Sequence, residues 1–506
     1  MGTAVYLIGA GPGDPELITL KGRRCLKLVD CVIYDYLVNR ELLDYVQAKA
    51  ERIYVGKQGG QDYISQAKIT ALILQRAREG KQVARLKGGD PFIFARGGEE
   101  AEALAQAGIS FEVIPGISAG SAAPTYAGIP LTHRGYSPTV AFITAHQDPT
   151  QEGPPIAWDQ LSQRDGTLVF FMGAGSLNEV VQQLTHQGRS LETPIALIRW
   201  GTYPKQQVIT GTLGSILDHA KNLAPPTIIV VGEVVKLRER LRWFDNRPLF
   251  GKTILITRPL EQIEDFKHQL HVLGATVIPF PTLEVLDPSS WAPLDRAIQK
   301  IDQYDWVIFT SINSVKHFFI RYFRIHSDIR ELKNIKIATI GPATAKAVRT
   351  LNISIDTLPM DYRAEGLVES LRGKVLKGTR VLIPRAKIAR EVLPQQLHQQ
   401  GAQVEVVEAY QTGIPKSSYS GWCQILEQQP PHMVVFTSSS TVSNLATIIY
   451  PQSLPTSLQH ISVACIGPIT AKTAETLGLK VSVVPKRYTT AALVDAITTY
   501  FCQTQL

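Results

Sequence analysis

Cysteine is scarce in this chain and is not grouped. Five cysteines occur among 506 residues, at positions 25, 31, 423, 465 and 502, and their spacing matches no paired metal site. We therefore expect no metal site and no disulfide framework. Reduced thiols favour a cytoplasmic location.

Long apolar runs and runs of basic residues are also missing. No stretch is apolar for long enough to cross a membrane, and the first residues lead directly into a predicted strand without the pattern of a signal peptide. The net charge is +8, but basic residues neither cluster nor alternate with aromatic ones. We expect no membrane and no nucleic-acid partner, and a modestly basic surface suits a polycarboxylate substrate instead.

What the chain does have is an alternation of short apolar strands with amphipathic helices, which predicts an α/β protein. Its length suggests about three to four compact units. Its most informative stretch is Arg85–Glu100, in which an apolar strand meets Gly88, Gly89 and Asp90 before a helix begins. Glycines let a backbone approach a ligand closely, although a simple tight turn would have the same composition.

A second glycine turn, Gly9–Asp14, follows the first predicted strand. Its nearest general pattern is a dinucleotide-binding fingerprint, which needs a third glycine and a helix N-terminus free for pyrophosphate. Here Asp14 occupies the third glycine position, and Pro12 removes one backbone donor. A carboxylate would repel pyrophosphate, so NAD or FAD binding is disfavoured.

A third turn, Ile114–Ala123, leaves another strand and enters a helix of small residues. Such a helix start admits a bulky ligand, or it packs closely on a sheet. The turn Gly128–Arg134 then brings His133 and Arg134 towards these loops, where His133 could equally be a hydrogen-bonded turn residue.

Taken in this order, the segments resemble the tetrapyrrole methylase family, and most closely its uroporphyrinogen-III C-methyltransferase branch. The resemblance covers roughly residues 1–245 and includes Thr167–Gly173, Trp200–Thr202 and Ile229–Val235. It implies a two-lobed methylase fold, S-adenosylmethionine as the cofactor, and a homodimer formed through this half. The residues implied to hold the cofactor are Pro12, Gly88, Gly89, Asp90, Ile93, Ser118, Ala119, Met172 and Gly201.

The resemblance also implies an acid–base pair, Asp35 and Lys57, with His133 and Arg134 at the substrate. When a reduced macrocycle carbon attacks a sulfonium methyl group, a proton must afterwards leave the ring system. Asp35 at a strand end can accept it, and Lys57 can steer carboxylates or return a proton. A surface turn acid and a solvated lysine are the structural alternatives.

The second half of the chain repeats itself. Ile254–Pro259 recurs as Val381–Ala386, and Phe309–Ser311 recurs as Phe436–Ser438, both at an offset of 127 residues. Ile340–Pro342 recurs as Ile466–Pro468 at an offset of 126. Motifs at one offset indicate an internal duplication, so we expect a bilobed pair of small parallel α/β lobes.

This duplicated pattern resembles uroporphyrinogen-III synthase, over roughly residues 251–506. The resemblance implies lobe one from 252–284 and 414–506, and lobe two from 285–413. Residues 1–245 would form the methyltransferase, and 246–251 would be a linker. Tyr410 is the candidate donor to a departing hydroxyl group, or else a packing residue. Thr310, Ser311, Ser438 and Thr470 would hold substrate carboxylates.

Together the two halves predict a bifunctional enzyme of tetrapyrrole synthesis. The second half would cyclise hydroxymethylbilane to uroporphyrinogen III, with inversion of the last ring and loss of water. The first half would then methylate uroporphyrinogen III twice to give precorrin-2, on the branch to siroheme and cobalamin. The alternative is a methyltransferase for a later corrin intermediate, with a second half that binds tetrapyrroles without catalysis.

Overall fold

A computed structural model describes residues 4–56, 64–145, 156–163, 165–221, 223–428 and 430–504. The chain divides into two compact units, Met1–Lys252 with Leu270–Thr276, and Thr253–Gln269 with Val277–Leu506. No helix in the described ranges is both long and apolar enough to cross a membrane.

The strands before residue 253 are β1 (Val5–Gly9), β2 (Cys31–Tyr34), β3 (Glu51–Tyr54), β4 (Val83–Lys87), β5 (Phe111–Ile114), β6 (Val140–Thr144), β7 (Thr167–Phe171), β8 (Pro194–Arg199), β9 (Gln207–Thr212) and β10 (Thr227–Val231). The helices are α1 (Leu20–Leu26), α2 (Gln66–Arg78), α3 (Gly97–Gln106), α4 (Ala119–Tyr126), α5 (Trp158–Ser162), α6 (Leu177–His186), α7 (Ile216–His219) and α8 (Arg238–Leu241). Short 3₁₀ helices occupy Pro15–Leu17, Arg40–Tyr45 and Glu233–Leu237.

These strands form two sheets. The first has the order β3-β2-β4-β1-β5 and is parallel throughout. The central strands β1 and β2 are buried apolar runs, β4 is buried but carries two charged side chains, and β3 at one edge is more polar. The second has the order β6-β7-β10-β8-β9, in which only β6 and β7 run parallel. The carboxyl ends of the first sheet therefore meet at one edge, where ligands bind in open α/β sheets.

The later strands are β11 (Thr253–Ile256), β12 (Thr276–Pro279), β13 (Glu284–Leu286), β14 (Trp306–Phe309), β15 (Lys336–Thr339), β16 (Arg380–Ala386), β17 (Gln403–Gly413), β18 (Met433–Phe436), β19 (Ser462–Cys465) and β20 (Val481–Val483). The helices are α9 (Glu264–Val272), α10 (Ala292–Gln299), α11 (Ile312–Ile325), α12 (Pro342–Arg349), α13 (Ala364–Leu371), α14 (Val392–Gln399), α15 (Lys416–Gln428), α16 (Ser439–Ile449), α17 (Leu454–Ser457), α18 (Pro468–Thr476) and α19 (Thr490–Gln503). Short 3₁₀ helices occupy Leu260–Gln262, Ile301–Gln303 and Arg330–Leu332.

The later strands form two sheets of matching order. One runs β12-β11-β18-β19-β20, and the other runs β13-β17-β16-β14-β15. At the repeat offset, β12-β11-β18-β19 corresponds to β17-β16-β14-β15, so the two copies share four strands in one order. The second sheet adds the antiparallel edge strand β13, and the first ends in β20, which corresponds in the second to an isolated parallel bridge between Ala338 and Thr357. The predicted α/β class, with a two-lobed first half and a duplicated second half, is confirmed.

The chain leaves the first of these sheets after β12, builds the whole of the second, and returns through α15 to β18. The outgoing segment is held firmly at Thr282, which is buried. Its hydroxyl donates to the carbonyls of Thr257 and Thr441, and its own carbonyl accepts from Asn444 Nδ2 at 2.8 Å. The predicted division at residues 284 and 414 stays a prediction, although Glu284 already pairs with Gly413 in the second of the two sheets.

Candidate functional site

Three glycine turns meet at the carboxyl edge of the first sheet. Gly11 and Gly89 form an antiparallel bridge, with N–O distances of 3.2 and 2.8 Å. A Cβ atom built on Gly9 would lie 2.5 Å from Gly116 Cα, and one on Gly116 would lie 2.3 Å from the Gly89 oxygen. Only glycine fits these places, so the turns after β1, β4 and β5 form one continuous backbone surface.

Asp90 ties two of these turns together. Its Oδ1 accepts from the Phe92 amide at 2.8 Å, and its Oδ2 accepts from the Gly116 amide at 3.0 Å. Both oxygens of Asp90 therefore bind backbone amides of the protein itself. Gly88, on the same turn, faces Leu37, because a Cβ atom there would lie 2.7 Å from Leu37 Cβ.

Ser118 and Ala119 begin α4 beside this turn. Ser118 is buried and caps the helix by accepting from the Gly120 amide at 3.3 Å. The nearest atom to a Cβ built on Gly89 is the Ala119 nitrogen at 3.7 Å, which is ordinary contact. The start of α4 and the Gly88–Gly89 turn are thus brought together, and their binding of a shared ligand stays a prediction.

Asp14 links the first glycine turn to the part of the first unit that is built on the second sheet, β6–β10. Its amide donates to Thr202 Oγ1 at 3.0 Å, and its Oδ2 accepts from the Tyr126 hydroxyl at 2.9 Å. Its Oδ1 accepts from the Glu16 amide and so begins the first 3₁₀ helix. Pro12 lies half-buried in the same turn. The carboxylate that disfavours pyrophosphate is therefore a structural connector.

Strained backbone marks the loops around this surface. Five non-glycine residues of the first unit's described part have positive φ, from 51° to 73°: Phe94, Arg96, Met172, Trp200 and Thr202. Left-handed backbone costs about 1–2 kcal/mol per residue and concentrates at functional sites. Gly201 lies between two of them against α4, where a Cβ atom would come within 2.3 Å of Ala123 Cβ.

Exposed apolar side chains surround the same turns. Ile93 is half-buried and packs on the apolar core between α4 and the second sheet. Its neighbour Phe94 stays 42% exposed although its ring centroid lies 4.9 Å from that of Phe171. The exposed members of this set are Tyr36, Leu37, Phe92, Phe94, Ile117 and Met172. An exposed apolar set beside open backbone fits a large flat ligand.

Asp35 stands at the end of β2, next to this rim. Its Oδ2 lies 3.3 Å from Arg85 Nη2, its Oδ1 accepts from the Leu37 amide at 3.3 Å, and its side chain is 28% exposed. The proposed partner Lys57 lies outside the described residues. Gly56, just before it, presses against the Tyr36 backbone, since a Cβ atom there would lie 2.4 Å from Tyr36 N.

A buried charge network lies beneath Asp35, and the sequence analysis missed it. Glu100 Oε1 accepts from Arg85 Nε at 3.1 Å and from Gln66 at 2.9 Å, while its Oε2 pairs with Lys87 Nζ at 2.9 Å. Burial, and then the charge of Arg85, lower the pKa of Lys87. The available signal was two cations inside an otherwise apolar buried strand, which is rare unless they are paired.

His133 and Arg134 lie in an exposed turn. His133 Nδ1 accepts from the Gly135 amide at 3.1 Å, and its ring meets that of Tyr136 edge-on at 5.1 Å. The structure thus gives His133 the bond expected of a turn residue. The contact of His133 and Arg134 with substrate stays a prediction.

In the second half, Tyr410 ends buried in the core of lobe two. Its hydroxyl lies 3.0 Å from Ser311 Oγ, and its ring stacks on His317 with centroids 5.6 Å apart. Burial raises the pKa of Tyr410, so the phenol stays neutral and able to donate. Ser311 also caps α11 by accepting from the Ser314 amide at 3.0 Å, and half-buried Thr310 precedes it.

The second copy repeats this capping. Ser438 has φ and ψ of −160° and 159°, against −159° and 159° for Ser311, and it caps α16. Thr470 is buried at 5% exposure near the start of α18. Tyr410 and Ser311 are thus brought together, Ser438 occupies the matching place in the other copy, and Thr470 faces the interior.

Comparisons with known proteins agree with both halves. A family model described as Tetrapyrrole (Corrin/Porphyrin) Methylases matches residues 4–217, and one described as Uroporphyrinogen-III synthase HemD matches residues 264–495. "Porphyrin biosynthesis protein HemD" of Ruminiclostridium josui is 35% identical over 497 residues, which is 97% of each chain.

Two further relatives match the first half. The uroporphyrinogen-III C-methyltransferase of Priestia megaterium is 50% identical over 46% of this chain and 98% of its own. A crystal structure of uroporphyrin-III C-methyl transferase from Thermus thermophilus, complexed with S-adenyl homocysteine, is 36% identical over 47% of this chain and 94% of that chain, with a TM-score of 0.40. This chain belongs to the family of porphyrin biosynthesis proteins that join a tetrapyrrole methylase to a uroporphyrinogen-III synthase.

Proposed function

We propose that the protein makes uroporphyrinogen III from hydroxymethylbilane and then methylates it twice to give precorrin-2. The observation that carries the methyltransferase step is the glycine surface, which has an apolar rim and the carboxyl group of Asp35 beside it. A macrocycle needs an apolar face, and its deprotonation needs a base within reach. Family membership supports the reaction assigned to each half.

S-adenosylmethionine fits the first unit as methyl donor, because Gly89 leaves room beside the start of α4: the nearest atoms to a Cβ built there are Ala119 N at 3.7 Å and Ser118 Cα at 3.9 Å. When bound, it supplies an electrophilic methyl group. The residues proposed to hold it are Pro12, Gly88, Gly89, Asp90, Ile93, Ser118, Ala119, Met172 and Gly201.

Asp35 is proposed to take the proton that leaves the macrocycle after each methyl transfer. The Arg85 guanidinium, 3.3 Å away, holds the Asp35 side chain in place at the end of β2. Lys57 would steer substrate carboxylates or return a proton, and His133 with Arg134 would contact the substrate at the exposed turn.

The synthase step needs less acid–base chemistry, because an electron-rich pyrrole ionises its hydroxymethyl group readily. The protein mainly has to fold the substrate so that its last ring inverts. We assign Tyr410 as donor to the departing hydroxyl, with Ser311 orienting it at 3.0 Å. Thr310, Ser438 and Thr470 are proposed carboxylate contacts, for which Thr470 must first become accessible.

Two further features belong to the proposal. A cytoplasmic location rests on the five described cysteines, each of which is a free thiol. A homodimer through the methyltransferase half and the binding of small tetrapyrroles follow from the family resemblance. The expectation of no nucleic-acid and no membrane partner follows from the charge pattern and hydropathy of the sequence.

One incubation tests the whole proposal. The intact protein is mixed with fresh hydroxymethylbilane and isotopically labelled S-adenosylmethionine, and the products are read by mass and isomer. We expect a type III macrocycle with two labelled methyl groups. If supplied uroporphyrinogen III is not methylated while a later corrin intermediate is, the first half acts later in the pathway. If hydroxymethylbilane closes only to the non-inverted isomer, the second half is not a synthase.

A further inference from the structure

Two cations stand side by side where β8 turns into β9. Arg199 ends β8, and Lys205 lies in the connecting turn of residues 200–206. Lys205 Nζ lies 3.8 Å from the centroid of the Trp200 ring and 5.5 Å from that of Tyr203. The ammonium is thus held over an indole face at a fixed place.

Neither cation has an acidic partner. Within the described ranges, no carboxylate lies within 4.0 Å of either side chain. Arg199 makes one long bond, from Nη1 to Gln207 Oε1 at 3.5 Å, and its Nε is buried without an acceptor among the residues that the structure describes. Partial loss of solvent, and then the charge of Arg199, lower the pKa of Lys205. Two neighbouring positive charges and an unused buried donor favour binding of an anion.

The pair lies beside the proposed active site. The Trp200 ring is edge-on to Tyr36, with centroids 6.1 Å apart, and Tyr36 follows Asp35. Trp200 has a φ of 51° and precedes Gly201, one of the proposed cofactor positions. An anion held by Arg199 and Lys205 would therefore sit near both the proton acceptor and the cofactor loops.

We propose that Arg199 and Lys205 form a carboxylate subsite that grips one acidic side chain of the tetrapyrrole during methyl transfer. The inference deepens the proposed function and rests on it, because the ligand is the methyltransferase substrate. Uroporphyrinogen III carries eight carboxylates, so one gripped at a fixed distance from Asp35 would orient the ring. A guanidinium binds a carboxylate through parallel hydrogen bonds, and the buried Nε of Arg199 would join them once the side chain turns towards the ligand.

The test uses the full chain and three variants: Arg199→Gln, Lys205→Gln and Lys205→Arg. Methylation is measured against uroporphyrinogen III concentration at saturating S-adenosylmethionine. We expect each glutamine variant to raise the KM for uroporphyrinogen III about tenfold, since it removes one charged hydrogen bond, and to leave S-adenosylmethionine affinity unchanged. Lys205→Arg should restore most of the loss. Added salt should raise the KM of the parent more than that of the variants.

Lys27→Gln is the matched control. Lys27 is exposed and follows α1, so it lies at the amino ends of the parallel strands, away from the carboxyl edge where the glycine turns meet, and its replacement changes the net charge equally. An equal rise in KM in this control would overturn the subsite. A lowered Tm of Lys205→Gln with an unchanged KM would also overturn it, because Lys205 would then only pack on Trp200. An inactive parent overturns the proposed function and the subsite together, whereas an active parent with unchanged variants overturns only the subsite.

Discussion

The carboxylate of Asp14 accepts two hydrogen bonds that a glycine at this position could not accept. Asp14 binds the Glu16 amide and the Tyr126 hydroxyl, while its own amide donates to Thr202. The sequence predicted the consequence, weak pyrophosphate binding, because that depends only on the sign of a charge. It could not predict the partners, since Tyr126 and Thr202 are more than a hundred residues away and come close only through folding.

The Gly88–Gly89–Asp90 turn was visible in the sequence because glycine freedom is a local property. The network of Arg85, Lys87 and Glu100 was not, because its pairs join a strand to a helix in a buried place. Lys57 lies outside the described residues, so its pairing with Asp35 stays a prediction.

Replacing Asp90 by alanine should weaken S-adenosylmethionine binding about tenfold or more, because it removes the bond to Gly116 that joins the β4 and β5 turns and the bond to Phe92 that shapes the β4 turn. Asp90→Asn keeps one acceptor oxygen and should lose less. Calorimetric titration of each folded variant measures the effect, with synthase activity as the control for integrity. Equal affinity in Asp90→Ala and the parent would remove Asp90 from the cofactor site.

Glu100→Gln should destabilise the first unit strongly, by about 3–5 kcal/mol, because it leaves Arg85 and Lys87 buried without their shared anion. Lys87→Met should cost clearly less, since Arg85 and Glu100 still form a neutral pair. The double variant should recover part of the loss. Hydrogen exchange of β4 and α3 in the intact chain, as urea is raised, gives the free energies. A larger cost for Lys87→Met than for Glu100→Gln would contradict this assignment.

At the scale of elements, duplication was the strongest signal. Ser311 and Ser438 were paired by sequence offset, and they adopt the same dihedral angles at the same helix start. The edge strand β13 has no counterpart among the described residues of the other copy, so the repeat gave no sign of it, and β20 corresponds only to an isolated parallel bridge between Ala338 and Thr357. They are also short, and their formation depends on the neighbouring strand rather than on their own residues.

The edge strand β3 should loosen in acid through Glu51. Hydrogen bonds from Arg76 and Lys81 hold the pKa of Glu51 at about 2, below its ordinary value of about 4.5. A lowered carboxyl pKa stabilises the fold above the unfolded value, so this contribution is lost as pH falls from about 4.5 towards 2. Because Glu51 is 35% exposed, solvent screening limits it to about 1 kcal/mol or less.

Hydrogen exchange of residues 51–54 across that pH range measures the effect, with Glu51→Gln as control. The parent should lose protection relative to the variant only below about pH 4.5. The same pH dependence in both proteins would assign the acid sensitivity to another group.

At the scale of the whole molecule, each half could be predicted through its family resemblance. The combination of the two halves in one chain is chemically sensible, because the second half makes what the first half uses. The crossing of the chain between the two duplicated sheets was implied by resemblance only. Nothing local in the sequence indicates that β11 pairs with β18, since their partner residues lie 179 positions apart.

Single substitutions in the intact chain should separate the two activities. Asp35→Asn keeps shape and removes the proton acceptor, so methylation should fall by about 10²- to 10⁴-fold while the type III isomer still forms and accumulates.

Tyr410→Phe keeps the ring stacked on His317 but removes the donor next to Ser311. We expect about a 10- to 100-fold loss of the inverted isomer, because the pyrrole itself drives ionisation, with supplied uroporphyrinogen III methylated at the parent rate. Isomer analysis of quenched reactions measures both. Full-rate inversion by Tyr410→Phe would leave Tyr410 as a packing residue, and a joint loss of both activities in either folded variant would show that the two sites are not independent.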